Sequence, residues 1–440
     1  MKKLMPALVL AASVVFAAKI DVAWADPIEI QWWHSMTGVN GDRINKIADD
    51  FNKMQSDYKV IPVFKGGYAE SMTAAIAAYR AGTAPDIVQV FEVGTATMMA
   101  AKGAIKPVYQ LMADAGEPFD PSSYLPTVTA YYSTPDGKML SFPFNSSTPV
   151  VYWNKDEFKK AGLDPDKAPV TWPETFEVAK KLRAAGINCG FTSAWVSWVQ
   201  IENFSAWHNI AIGTKENGLA GTDTELEINN PLVVRHVNDL VEAQKDKSFD
   251  YKGRTTEPES SFLNGDCAMI QDSSAAYGLF KGGLKSPFGV AELPYYPDVK
   301  GAPQNSIIGG ASLWVLGGKP ADHYKGIAKF FTYLSSVPVQ EKWHEDTGYL
   351  PITKAAYEAT KASGFYDKNP GTEIALKQMT AKPPTENTKG LRFGNMVQIR
   401  DIIAEDLEAA FAGKETAQAA MDDAVKRGDA LLRQFQKNTQ

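Results

Sequence analysis

The chain has 440 residues, with 45 Lys and Arg against 51 Asp and Glu and a formal net charge of −6. That length implies two domains or more with ample core to bury. A mildly acidic balance with no basic run argues against nucleic acid and anionic membrane surfaces as partners. Lys2 and Lys3 precede an apolar run from Leu4 to Ala18, and Ala23-Trp24-Ala25 fits the small-x-small rule for cleavage of an export leader. The apolar run falls short of the roughly 18 residues that a membrane span needs. A mature chain starting near Asp26 is expected, exported, without the cysteine that a lipoprotein needs, and with its charge moved to −8 by loss of three lysines and one aspartate.

Ile28 to Trp33 alternates into a strand ending at His34-Ser35. Ile44, Ile47, Phe51 and Met54 then mark one face of a helix, and Tyr58 to Phe64 a second strand. After the Gly66-Gly67 turn, Met72, Ile76 and Tyr79 share a helical face, with Gly82 as the left-handed stop. Pro85 precludes more helix, and Ile87 to Phe91 is a short strand that runs out at Glu92. This β-α-β-α-β order builds a largely parallel sheet. In such sheets ligands lie beyond the carboxyl ends of strands, so Glu92 and Tyr68 stand where a ligand would meet them. Capping of the following helix is the alternative role for Glu92.

A second unit follows Leu140. Pro149 to Trp153 is strand-like, and Asn154 opens a helix that Gly162 closes. Thr171, Pro173 and Glu174 have the spacing of a capped helix start. Trp195, Trp198, Phe204 and Trp207 crowd the stretch from Cys189 to His208, which suits either a core between helices or a sugar-stacking wall. Phe262 to Ile270 is a turn leading into a strand that ends at Ser273-Ser274, Ile307 to Val315 is a further strand, and the last hundred residues read as helical. Cys189 and Cys267 are the only cysteines. In an oxidising compartment they can bridge, and two buried thiols are the alternative.

The motifs of several enzyme classes are missing. The sequence contains no nucleophile elbow, phosphate-binding loop, His-Glu-x-x-His or Cys/His cluster. His34, His208, His236, His323 and His344 are scattered, and carboxylate pairs such as Asp49-Asp50 and Asp422-Asp423 lie on polar helix faces. The profile is that of a binder, without metal or cofactor.

GTAPDIV, YWNKDEFKKAGLDP, PVTWPETFEVAKKL, FLNGDCAM, GGASLWV and TGYLPITKAAY, in that order, resemble the family 1 extracellular solute-binding proteins of ABC importers. WHSMTG, VFEVGTATMMA, PFNSSTPVVYWNKD, ENFSAW, APQNSIIGGASLWV and KGLRFGNMVQIR resemble, more narrowly, the members that serve sn-glycerol-3-phosphate import. The resemblance implies an α/β clamp of two domains, each a largely parallel sheet flanked by helices, joined by hinge crossings. It places one domain at 26–140 plus 281–340 and the other at 141–280 plus 341–440. It implies a periplasmic monomer that captures glycerol-3-phosphate or glycerophosphodiesters such as glycerophosphocholine and passes it to permease subunits; an oligosaccharide or polyol binder is the alternative.

Carried over by motif, the ligand contacts are Tyr68, Glu92, Ser147, Ser273, Gly310, Tyr349 and Arg400, with Trp172 stacking on the glycerol carbons. The resemblance gives the phosphate to Arg400, Ser147, Ser273 and the Gly310 amide, and the glycerol hydroxyls to Glu92 as acceptor. Asp272 departs from the pattern, since an acid beside a phosphate is unexpected if it points inward. Arg392 is expected to be structural.

Overall fold

The computed structural model describes residues 26–101 and 103–439, so the export leader expected at 1–25 lies outside the described residues. Ten strands are described: β1 (Ile28–His34), β2 (Tyr58–Phe64), β3 (Ile87–Phe91), β4 (Ile105–Lys106), β5 (Phe142–Ser147), β6 (Pro149–Asn154), β7 (Cys189–Ser193), β8 (Cys267–Ser273), β9 (Phe288–Ala291) and β10 (Gly309–Leu316). They form two sheets, one ordered β2-β1-β3-β10-β4 with β5 also on β10, the other ordered β7-β8-β6-β9.

The two-domain α/β clamp stands, with one correction. Only β2, β1 and β3 in the first sheet and β7 with β8 in the second run parallel, whereas β10 and β6 are antiparallel to their neighbours. The reason is where the chain enters. A parallel neighbour needs a crossover on its own side of the molecule. A strand arriving from the other lobe starts instead at the hinge end, where the lobe's parallel strands finish. The register records this: Ala311 near the start of β10 sits opposite Phe91 at the end of β3, and Pro149 at the start of β6 opposite Ser273 at the end of β8.

Sheet membership also moves the expected limits. β5 pairs in the first sheet and β9 in the second, so the first crossing is at Thr148 and the return lies between 291 and 309. Trp343, Tyr349 and Ile352, expected with the second domain, pack in the first sheet's core beside Trp32, Phe144 and Leu313. Alternation along β1 explains that layer: Ile30 and Trp32 face it, while Trp33 faces the opposite, larger core shared with the second lobe. Cys189 and Cys267 are opposite each other on β7 and β8 and are joined by a disulfide, as expected.

Candidate ligand-binding cleft

At the hinge ends of the two sheets, seven of the eight expected contact residues come together. β3 runs straight into a 3-10 turn Glu92–Gly94, which places the Glu92 carboxylate at the strand's carboxyl end. From the second lobe the Met396–Phe411 helix brings Arg400 to meet it. Arg400 Nη2 donates to Glu92 Oε1 at 2.6 Å. The same guanidinium forks onto Glu202, Nε to Oε1 at 2.7 Å and Nη2 to Oε2 at 2.7 Å. Ser197 Oγ donates to Glu202 Oε1 at 3.2 Å. The side chains of Glu92, Glu202 and Arg400 keep 3%, 0% and 14% exposure, so the cluster is buried. Burial pushes the Glu92 carboxyl above its usual range; Arg400 opposes the shift and the Glu202 charge adds to it. Burial works against the Arg400 charge, yet Glu202 and Glu92 together hold its proton more tightly than usual.

Glu202 escaped the sequence reading, although ENFSAW contains it. It lies in a π-helix, Trp198–Asn203, buried along its whole length. A π-helix widens the turn by one residue, and no local pattern in the sequence announces it.

Tyr68 begins the Tyr68–Arg80 helix, its ring stacked on Phe91 with centroids 5.2 Å apart. Its hydroxyl accepts from Asn145 Nδ2 at 2.9 Å, and Asn145 Oδ1 accepts from Gln89 Nε2 at 2.7 Å. Tyr349, stacked on Trp343, brings its hydroxyl to the same Asn145 and Tyr68. Burial pushes both phenols up, so both stay neutral hydrogen-bonding groups. Ser147 ends β5 opposite Gly309, and Ser146 is opposite Gly310. Gly310 has φ +93°, and a Cβ there would lie 1.8 Å from the Asn145 carbonyl oxygen. Only glycine fits, because a side chain there would strike the backbone of the paired strand β5. Ser273 caps the turn after β8 by accepting from Ala275 N at 3.1 Å, and its hydroxyl proton is free to donate.

A profile of bacterial extracellular solute-binding proteins matches residues 46–373. The chain belongs to that family. It is 53% identical over 430 residues to the sn-glycerol-3-phosphate-binding periplasmic protein UgpB of Pectobacterium atrosepticum, covering 98% of this chain and 96% of that one. It is 54% identical over 410 residues to the protein of the same name from Yersinia pseudotuberculosis, covering 93% of each. Among solved structures it resembles UgpB from Mycobacterium tuberculosis in complex with glycerophosphocholine, with a TM-score of 0.78 at 21% identity over 93% of this chain and 99% of that one. Maltose-bound MalE3 from T. maritima gives 0.73 at 21% identity, over 92% and 100%. At such identity the structural likenesses bear on the fold alone.

One expectation for this solute-binding protein changes. Trp172 does not reach the cleft: it is 2% exposed, with rings of His236, Phe176, Phe191 and Tyr296 within 6.3 Å. As the first residue of the Trp172–Ala184 helix, behind the Thr171 cap, it is turned into the second lobe's core. The aromatic wall near the triad comes instead from Trp198, whose indole lies under Gly309, and from half-buried Trp195 beside it. Trp198 Nε1, Ser146 Oγ and the hydroxyls of Tyr131 and Tyr132 are buried without a protein partner. Asp272 is buried too, but its carboxyl turns to Glu259 rather than inward. Arg392 is structural, its Nη2 donating to the carbonyls of Ala130, Tyr131 and Ser133. A separate groove of about 760 Å³, lined among others by Ile47, Phe51, Val339 and Trp343, is on the outer flank of the first sheet and shares no residue with this cleft.

Proposed function

We propose that this protein is the periplasmic substrate-binding component of an ABC importer, a monomer that captures sn-glycerol-3-phosphate or a glycerophosphodiester and delivers it to permease subunits. Its contacts are Tyr68, Glu92, Ser147, Ser273, Gly310, Tyr349 and Arg400, with Trp195 and Trp198 taking the stacking role that Trp172 was expected to have. The carrying observation is the Glu92–Arg400 pair, which links the first sheet's end to a second-lobe helix. It is the complement of a small molecule with an anion at one end and hydroxyls at the other. A phosphate offers Arg400 what Glu92 now offers it, and glycerol hydroxyls offer Glu92 what Arg400 now offers it. Identity of 53–54% to curated glycerol-3-phosphate binders, over more than nine-tenths of the chain, supports the same ligand class.

Closing of the two lobes then removes the phosphate from water, and the donors must be fixed beforehand for that to succeed. Ser147, Ser273 and the Gly310 amide belong to strands or strand ends, which meets this need. The test is calorimetry of the ligand-free mature protein against glycerol-3-phosphate, glycerophosphocholine, maltose and inorganic phosphate. Saturable heat is expected with the first two only, with the ligand recovered intact and the radius of gyration reduced. Heat with maltose alone would replace this reading by an oligosaccharide binder.

A further inference from the structure

Inside the cleft one guanidinium faces two carboxylates, so the triad carries one negative charge in excess. No other cation in the described residues faces it. Arg254 is held by both oxygens of Glu408, Lys65 lies over the Trp33 ring 4.1 Å away, and Arg392 turns its Nη2 to the carbonyls of Ala130, Tyr131 and Ser133. The helix Pro126–Tyr132 turns Tyr131 and Tyr132 toward the cluster, and the Tyr68–Arg80 helix turns Tyr68; burial keeps all three phenols neutral. His236, held neutral by burial, meets Gln200 of the π-helix at 3.0 Å. Asp401, next to Arg400, faces away toward Arg254, Glu405 and Glu70.

The two acids have different duties. Glu92 can release Arg400 to a ligand and accept hydroxyls in exchange. Glu202 cannot, because it is fully buried, gripped by both Nε and Nη2, and held from behind by Ser197. Its carboxylate stays in the site, forked by Arg400, in every state of occupancy. A phosphomonoester has a second pKa near 6 and is a dianion at about pH 8. Seated at Arg400, that dianion would bring the excess to three negative charges in a buried cavity. A phosphodiester brings only one charge at any such pH.

Granted that the cleft takes glycerol phosphate esters, we infer that Glu202 is a specificity-determining residue: its fixed charge makes the site accept a phosphomonoester only together with one proton from solvent, and a phosphodiester with none. The proton resides on a phosphate oxygen or on Glu92, whose carboxyl is already pushed up by burial. Selectivity then shifts toward the diester as pH rises.

The experiment is calorimetry of the mature protein at about pH 8 in two buffers of different ionisation enthalpy, with glycerol-3-phosphate and with glycerophosphocholine. The expected result is uptake of about one proton for the monoester and near none for the diester, with monoester affinity falling about tenfold per pH unit above pH 7. Glu202→Gln, with folding checked by circular dichroism, should flatten that slope and shift the monoester-to-diester preference at pH 8 by about tenfold toward the monoester. Equal proton counts for the two ligands on the unmodified protein would overturn the inference with no variant needed, as would an unchanged slope in Glu202→Gln. Binding of neither ester would overturn the functional reading and this one with it.

Discussion

Two acidic clusters, one bridging the lobes and one within the second lobe, solve the same problem in opposite ways. Glu92 and Glu202 share Arg400, whose charge opposes the effect of burial on Glu92. Asp272 and Glu259 face each other with no Lys or Arg among the groups that act on them. There burial pushes both carboxyls up, Glu259 to about 7, with the Glu259 charge adding to the shift of Asp272 and the Glu257 charge to that of Glu259. Desolvation is relieved by a counter-charge in the first cluster and by neutralisation in the second. The first keeps charge that a ligand can exchange. The second keeps none, and Asp272 serves only to fix Ser273, whose N–H it accepts at 2.6 Å.

The comparison breaks most visibly at Arg400. Arg400→Ala strands two buried carboxylates, and the expected loss is about 3–5 kcal/mol of stability as well as glycerol-3-phosphate affinity, read by denaturant unfolding and calorimetry. A fully stable Arg400→Ala protein would mean the two acids are as neutral as the other pair.

A smaller effect should appear at Asp272. A carboxyl raised on folding stabilises at low pH, and that contribution disappears as pH rises from the ordinary carboxylate range through the folded value, here about 7 for Glu259. Asp272→Asn keeps an acceptor for Ser273 and donates a permanent hydrogen bond to Glu259. Its stability relative to the parent should improve by about 1–3 kcal/mol between pH 5 and pH 8, measured by urea unfolding at both. A pH-independent difference would show that the pair does not share a proton.

The smallest change concerns Glu92→Gln. Arg400 keeps its fork on Glu202, so folding should be spared, while ester affinity falls by about 1–2 kcal/mol from the lost charge assistance to hydroxyls. If Glu92→Gln binds ester more tightly than the parent, the pair between Glu92 and Arg400 outweighs what the hydroxyls return.

The sequence was most informative where its signals are local. The Thr171–Glu174 capping box forms in both directions, and β1, β2 and β3 begin and end where alternation and proline placed them. Motif resemblance brought Tyr68, Ser147, Ser273 and Gly310 to one hinge. It failed where the determining partner is distant in the chain. Glu202 meets Arg400 across 198 residues, and nothing around ENFSAW signals that its acid faces an arginine. Trp172 and Trp198 are equally aromatic in sequence; a helix cap turns one into the core, and a glycine strand lets the other approach the cleft. The antiparallel run of β10 was hidden for a related reason, since it depends on which lobe the preceding loop comes from.

The π-helix has an evolutionary corollary. Its six residues, Trp198–Asn203, hold an aromatic ring at one end and the forked carboxylate near the other. Deleting any one of them would restore an ordinary helix and rotate every later residue of the turn by about 100°. Glu202 and Trp198 could then no longer serve the same cavity, however faithfully both letters were kept. A change in the length of this segment would therefore undo the site as surely as loss of its acid.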